Sequence, residues 1–322
     1  MSWHFRVLTP TLAAGGVAVV RVTGDLTGFF DASRLKRIEP GRRGLRLLAE
    51  LDQGLACRWN EHVIDLMPHG GLAMVREVVR WLERLGGHAG ELSLGGRWPE
   101  AADTLEARVL EALARTQSPV ATELLLRQPG LWQRKQNSDA SRDAVLQRLL
   151  EPPLVVAVGP SNVGKSSLLN ALAGRTVAVT ADEPGTTRDH VGVMLNLDGL
   201  ALRYADTPGI RACPTEEERI AWVEASELIR HADLVLSCGD RTSPGLTAGD
   251  LDRLAAGRPV DRILRIGTRC DLGTSAATSD VEVSVHDPAS VWRLARRIRE
   301  ELVPASSVHA DVPWKFWTDT EE

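Results

Sequence analysis

The sequence predicts an α/β chain. A doubly wound, mostly parallel sheet over residues 152–303 follows a small α+β domain over 1–97 and a short helical segment over 98–151, with a tail at 304–322. Three observations predict it. Apolar runs at 154–158, 200–205, 232–236 and 263–266 alternate with helical stretches, as strands buried on both faces do. A glycine-rich loop at 159–166 joins the first of these strands to a helical run at 167–173. Pro152-Pro153 closes the helical segment, because proline lacks the N–H that a helix interior needs.

In chain order, the run from Gly16 through Val17, Ala18, Val19, Val20, Arg21, Val22 and Thr23 to Gly24 reads as a β-branched strand bounded by glycines. Val75, Val78, Val79, Leu82 and Leu85 recur at helical spacing and stop at Gly86-Gly87. Leu105, Val109, Leu110 and Leu113, then Val145, Leu146, Leu149 and Leu150, predict helices on either side of the polar Gln136-Asn137-Ser138-Asp139, a break or a helix start. In the tail, Trp314, Phe316 and Trp317 are expected to dock on the domain surface.

Composition removes several classes. Lys plus Arg is 38 against 43 Asp plus Glu, a net charge of −5, which argues against a generally basic nucleic-acid coat. With 43% hydrophobic and 25% charged residues, the chain has an ordinary globular balance. No run approaches the roughly 18 apolar residues that a membrane span requires, and the N-terminal residues lack a secretory layout, so the cytoplasm is expected. Cys57, Cys213, Cys238 and Cys270 are scattered with no CxxC pair, which fits a reducing compartment. Arginine outnumbers lysine 34 to 4, so each lysine merits inspection.

The chemistry concentrates in Gly159-Pro160-Ser161-Asn162-Val163-Gly164-Lys165-Ser166, a GxxxxGK[ST] loop between strand and helix. Glycines let successive backbone N–H groups wrap a β-phosphate, Lys165 reaches the β- and γ-phosphates, and the Ser166 hydroxyl suits Mg²⁺. Asn162, Val163, Gly164, Lys165, Ser166 and Ser167 are therefore the phosphate-side candidates. Asp206-Thr207-Pro208-Gly209 follows the strand at 200–205, offering a carboxylate for the Mg²⁺ shell and an N–H at Gly209 to sense a γ-phosphate. Between them, Gly185-Thr186-Thr187-Arg188-Asp189 supplies hydroxyls, with Thr187 the first choice for Mg²⁺. Thr268-Arg269-Cys270-Asp271 follows the strand at 263–266, and its acid can accept both guanine N1–H and N2–H₂, which adenine cannot offer. Ser284-Val285, after Val281-Glu282-Val283, would cover the base.

Together these elements resemble the translation-factor-like GTPases. The Gly-Thr-Thr-Arg-Asp loop, with Asn162 in the phosphate loop, is similar to the Era/MnmE group, and Glu218-Arg219-Ile220 is similar to a segment of the MnmE (TrmE) tRNA-modification GTPases. The resemblance implies GTP hydrolysis with Mg²⁺, and K⁺ held by Asn162. It also implies activation by dimerisation. Ile210 stands where many small GTPases place a water-orienting Gln, and the resemblance carries that role to Glu218. It implies a homodimer acting on tRNA wobble uridine with a flavin-dependent oxidoreductase. In the first domain, Arg21 in its strand, and Asp65 before Met67-Pro68-His69-Gly70-Gly71, resemble the family's 5-formyltetrahydrofolate contacts. The family's closing Cys-x-Gly-Lys is not found at 317–322, so a GTP-driven switch or assembly factor without one-carbon chemistry is the alternative.

Overall fold

The structure, a computed structural model, describes residues 2–9, 15–135, 137–174, 192–209, 219–257, 259–273 and 278–318. Thr186, Thr187, Ile210, Cys213 and Glu218 lie outside the described residues. The chain forms two compact units, residues 1–111 with 317–322, and residues 112–316.

The first unit runs β1 (Trp3–Val7), β2 (Val20–Gly24), α1 (Leu26–Ser33), β3 (Arg42–Leu48), β4 (Asp52–Arg58), β5 (Val63–Met67), α2 (Leu72–Arg84), β6 (His88–Ala89), α3 (Leu94–Arg97) and the start of α4 (Thr104–Arg115). Its sheet has the order β3-β4-β5-β2-β1-β6, antiparallel except where β1 meets β6. Alternation along the strands turns Phe5, Val20, Val22, Ile64 and Leu66 into one core with Phe29 and Phe30 of α1 and Val78, Trp81 and Leu82 of α2. Asp25 caps α1 by accepting from the N–H groups of Thr27 and Gly28.

The strand expected from residue 16 begins at Val20. The preceding residues bond to the segment after β5 instead, with Ala18 N–H donating to Pro68 O at 2.9 Å and Gly70 N–H to Gly16 O at 3.2 Å. Glycine is needed at position 70, where a Cβ would stand 2.4 Å from the Gly15 carbonyl oxygen. At the other edge, β3 exposes Arg42 and Arg43, charges that oppose pairing with another strand.

The second unit contains α5 (Pro119–Arg134), α6 (Ala140–Leu146), β7 (Leu154–Val158), α7 (Lys165–Ala173), β8 (Val193–Leu197), β9 (Leu200–Asp206), α8 (Arg219–His231), β10 (Leu234–Gly239), α9 (Ala248–Leu254), β11 (Ile263–Thr268), β12 (Val281–Val283), α10 (Pro288–Leu302) and α11 (Ala305–His309). Its sheet has the order β12-β11-β10-β7-β9-β8, parallel throughout except for the antiparallel edge strand β8. Leu154, Val156 and Val158 pack on Ala225 and Ile229 of α8 and Leu251 and Leu254 of α9. Helices α7 and α10 pack against each other beside β8, β9 and β12. This is the predicted doubly wound fold, and it puts the loop after the central strand β7 at the C-terminal edge, where such sheets bind ligands.

The break at 136–139 is a helix start. Asp139 caps α6 by accepting from the N–H groups of Ser141 and Arg142. The tail differs from expectation. Trp314 is fully buried and Phe316 nearly so, because Arg142 gathers the segment by donating to the carbonyls of Ser307, Val312 and Pro313. Gln128 accepts from the Trp314 N–H at 2.7 Å. Trp314 and Phe316 are core, and Trp317 is half-buried.

Candidate functional site

The loop at 159–166 leaves β7 and enters α7 with Gly164 as N-cap, and no side chain caps the helix. The orphan N–H groups of its first turn are therefore available to an anion, with the helix dipole behind them. Left-handed backbone at Asn162 (φ 65°) and Gly164 (φ 98°) turns the loop amides inward, the geometry of an anion nest. Gly159 (φ 146°) lies so close to β10 that a Cβ would sit 2.1 Å from the Cys238 carbonyl oxygen. Only glycine fits there.

Lys165 is buried, and its ammonium donates to the carbonyls of Gly159 and Pro160 at 3.0 Å each. Burial lowers its pKa from the usual lysine value, and the nearby Asp206 carboxylate opposes that shift. Ser166 hydroxyl donates to Asp206 Oδ2, whereas Asp206 Oδ1 is buried with no hydrogen-bond partner among the described residues. A hydroxyl and a half-satisfied carboxylate at one helix start form an oxygen donor set suited to a hard divalent cation such as Mg²⁺. Thr207 fixes that carboxylate's segment, its N–H and hydroxyl both donating to Ala157 O. Gly209 presses on the phosphate loop, since a Cβ there would meet Ser161 Oγ at 1.9 Å. Val163 is buried beneath the loop, and Ser167 is exposed on α7.

On the far side of the loop, Thr268 is buried, with its hydroxyl directed at the carbonyls of Val163 and Gly239, so it ties the phosphate loop to the end of β10. Arg269 occupies left-handed backbone (φ 56°), and its Nε comes within 3.8 Å of the space a Cβ on Gly164 would fill. Asp271 is exposed in a single 3₁₀ turn, Cys270–Leu272. A hydrogen bond from Ser284 holds its carboxyl below the usual range, helped by the charges of His286 and Arg269. Ser284 is buried and fixed by Ser290, whose Oγ accepts from the Ser284 N–H at 3.1 Å. Val285 is partly exposed beside it.

Sequence reasoning missed Asp240. The Asp240-Arg241-Thr242-Ser243 pattern after a strand signals a turn, but not that the carboxylate also faces Arg269.

In the first unit, Arg21 and Asp65 meet as a buried two-bond ion pair at 2.7 and 2.8 Å. Arg21 Nη1 also donates to the carbonyls of Gly96 and Arg97, and Trp59 Nε1 donates to Asp65 Oδ2 at 2.7 Å. The two expected ligand contacts engage each other and their neighbours, the pairing that buried charges require. The sequence left a buried Arg21–Asp65 ion pair open beside the ligand contacts, and sequence reasoning missed Trp59.

Residues 154–264 match the 50S ribosome-binding GTPase family. That segment has the P-loop GTPase fold. The chain is also similar to proteins named tRNA modification GTPase MnmE. The protein of that name from Acidiphilium cryptum is 29% identical over 90% of this chain and 78% of its own length. Those from Mesorhizobium japonicum and Nitratidesulfovibrio vulgaris reach 39% and 44% identity, over 49% and 37% of this chain and only 35% and 26% of their own. Among solved structures, the GTPase is similar to Aquifex aeolicus Era, with 24% identity, 47% of this chain, 56% of that one and a TM-score of 0.35. It is also similar to the FeoB G-domain from Methanococcus jannaschii, with 20% identity, 47% of this chain, 97% of that one and a TM-score of 0.34. Among the described residues, no helix is long and apolar enough to cross a membrane.

Proposed function

We propose that this GTPase is a cytoplasmic enzyme of tRNA wobble-uridine modification, stimulated by K⁺ and by dimerisation, and working with tRNA and a flavin-dependent oxidoreductase. The observation that carries this reading is the convergence of Lys165, Ser166 and Asp206 on one nest of amides, in a chain related to MnmE. Residues 1–97 then form a folate-type domain, 98–151 a helical link and 152–303 the GTPase domain.

The amides from Asn162 to Ser167 surround the phosphates, and the Lys165 ammonium exchanges carbonyl partners for phosphate oxygens. Mg²⁺, held by Ser166, Asp206 and Thr187, supplies positive charge against the triphosphate when bound. Gly209 N–H registers the γ-phosphate, Thr186 contributes with its neighbour Thr187, and Glu218 orients the attacking water. Asn162, exposed on left-handed backbone, is the side chain that would hold K⁺. Thr268 fixes the loops, Arg269 and Val285 flank the base, and Asp271 accepts from guanine N1–H and N2–H₂.

Three measurements test this. Turnover is expected to be faster in K⁺ than in Na⁺, and Glu218→Ala to bind GTP normally but turn over roughly tenfold slower or worse. Equal turnover in the two proteins removes Glu218 from the mechanism. The modified uridines of tRNA from a deletion strain test the cellular role, and an unchanged profile rejects it.

Ser284→Ala gives a finer test of base reading. Losing the hydroxyl that hydrogen-bonds and orients the Asp271 carboxylate is expected to weaken GDP binding about threefold to tenfold, the span of one hydrogen bond. The sign with pH follows. The Asp271 carboxyl is depressed in the folded chain, so it remains an acceptor until pH falls below the ordinary carboxylate range. Without Ser284, affinity should begin to fall at a higher pH, readable in GDP titrations across the acid range.

One observation favours a second reading, a GTP-driven switch without one-carbon chemistry. Arg21 and Asp65 satisfy each other, which leaves them little capacity for a folate. Titration with 5-formyltetrahydrofolate separates the two, saturable binding supporting the first.

A further inference from the structure

Asp240 stands at the end of β10, outside every motif invoked so far, and is buried despite its charge. Its two carboxylate oxygens have different partners. Oδ1 accepts from Thr242 N–H at 2.8 Å, Thr242 hydroxyl at 2.8 Å and Ser243 N–H at 2.9 Å, which shapes the turn after the strand. Oδ2 faces Arg269 Nη1 at 3.5 Å. Arg269 itself is held on left-handed backbone, which a side chain rarely adopts without support, and its guanidinium crosses the backbone of Gly164 at the head of α7. The adjacent Thr268 has its hydroxyl committed to Val163 and Gly239, so of these two side chains it is the cation that can lie along a base.

We propose that Asp240 is a positioning residue for the nucleotide. Through its second oxygen it anchors the Arg269 guanidinium over the phosphate-loop glycine, so that the flat cation meets the purine face while Asp271 reads the purine edge. A guanidinium is planar and stacks on aromatic rings, which suits it to this place better than the ammonium of a lysine. Left free, a side chain that is about half exposed would sample many rotamers and lose that preorganisation on each binding event. The Asp240 carboxyl is kept below the usual range by the bonds from Thr242 and Ser243 and by Arg269, against the effect of burial, so the anchor stays charged. This inference rests on the reading that guanine sits at Asp271.

The experiment uses the full chain. GDP, GTP and ADP affinities are measured with Mg²⁺ for the wild type, Asp240→Asn, Arg269→Gln and the double variant, alongside thermal unfolding without nucleotide. Asp240→Asn keeps an oxygen for the turn and puts an uncharged NH₂ donor where the carboxylate acceptor faced Arg269. Each single variant is expected to bind GDP roughly tenfold more weakly, and the double variant no more weakly than either, as for two residues acting as one device. The change should fall in the KM for GTP, with nucleotide-free Tm close to wild type. Asp240→Asn binding GDP as tightly as wild type overturns the proposal, and so does a double variant whose losses add. Should Asp240→Asn fail to fold, the same comparison with Arg269→Gln alone decides, wild-type affinity there overturning it. A wild type that takes ADP as readily as GDP instead overturns the reading of Asp271 beneath it.

Discussion

Lys165→Ala is expected to lower affinity for GTP and GDP by roughly 100-fold to 1,000-fold, the loss of charge-assisted hydrogen bonds to phosphate at about 1.5–3 kcal/mol each. The reason is the loop's electrostatics. Backbone amides alone supply partial charge, and Lys165 is the full cation buried among them. Without nucleotide its ammonium donates to the Gly159 and Pro160 carbonyls, two acceptors that a wet loop can satisfy otherwise, so folding should survive. The measurement is a Mg²⁺-dependent nucleotide titration beside an unfolding curve. Retained affinity in a folded variant would show that the triphosphate lies elsewhere.

That site was legible in the sequence because phosphate binding fixes residue types at fixed spacing. Gly159, Gly164, Lys165 and Ser166 each answer a separate demand of geometry or charge, and the structure brings Asp206 to them across 40 residues at the predicted strand end. The parallel sheet was legible for a related reason. Strands buried on both faces, such as Leu154–Val158, read as unbroken apolar runs. The first unit's sheet was harder. Strand β3 carries Arg42, Arg43 and Arg46 among its leucines because it lies at an edge, and the edge position is itself a tertiary fact. Contacts such as Thr268 with Val163, or Asp240 with Arg269, depend on which loops meet at the sheet's C-terminal edge. No local pattern encodes that meeting.

The buried pair in the first unit separates a structural from a ligand-binding role. Asp65→Ala is expected to destabilise that unit by about 3–5 kcal/mol, because it leaves a buried guanidinium without its counter-charge. Trp59 Nε1 loses its acceptor in the same step. Arg21 would keep its bonds to the Gly96 and Arg97 carbonyls, which accept hydrogen bonds but carry no full charge. The double variant Arg21→Met with Asp65→Leu removes both charges and should recover most of the loss, since a buried ion pair and a packed apolar pair are often close in free energy. Denaturant unfolding monitored by tryptophan fluorescence reads both numbers. A ligand role predicts the reverse pattern: Asp65→Ala would unfold like wild type, and the difference would appear only as lost binding of 5-formyltetrahydrofolate. The geometry favours the first pattern, because a carboxylate already shared between Arg21 and Trp59 has little left to offer a ligand.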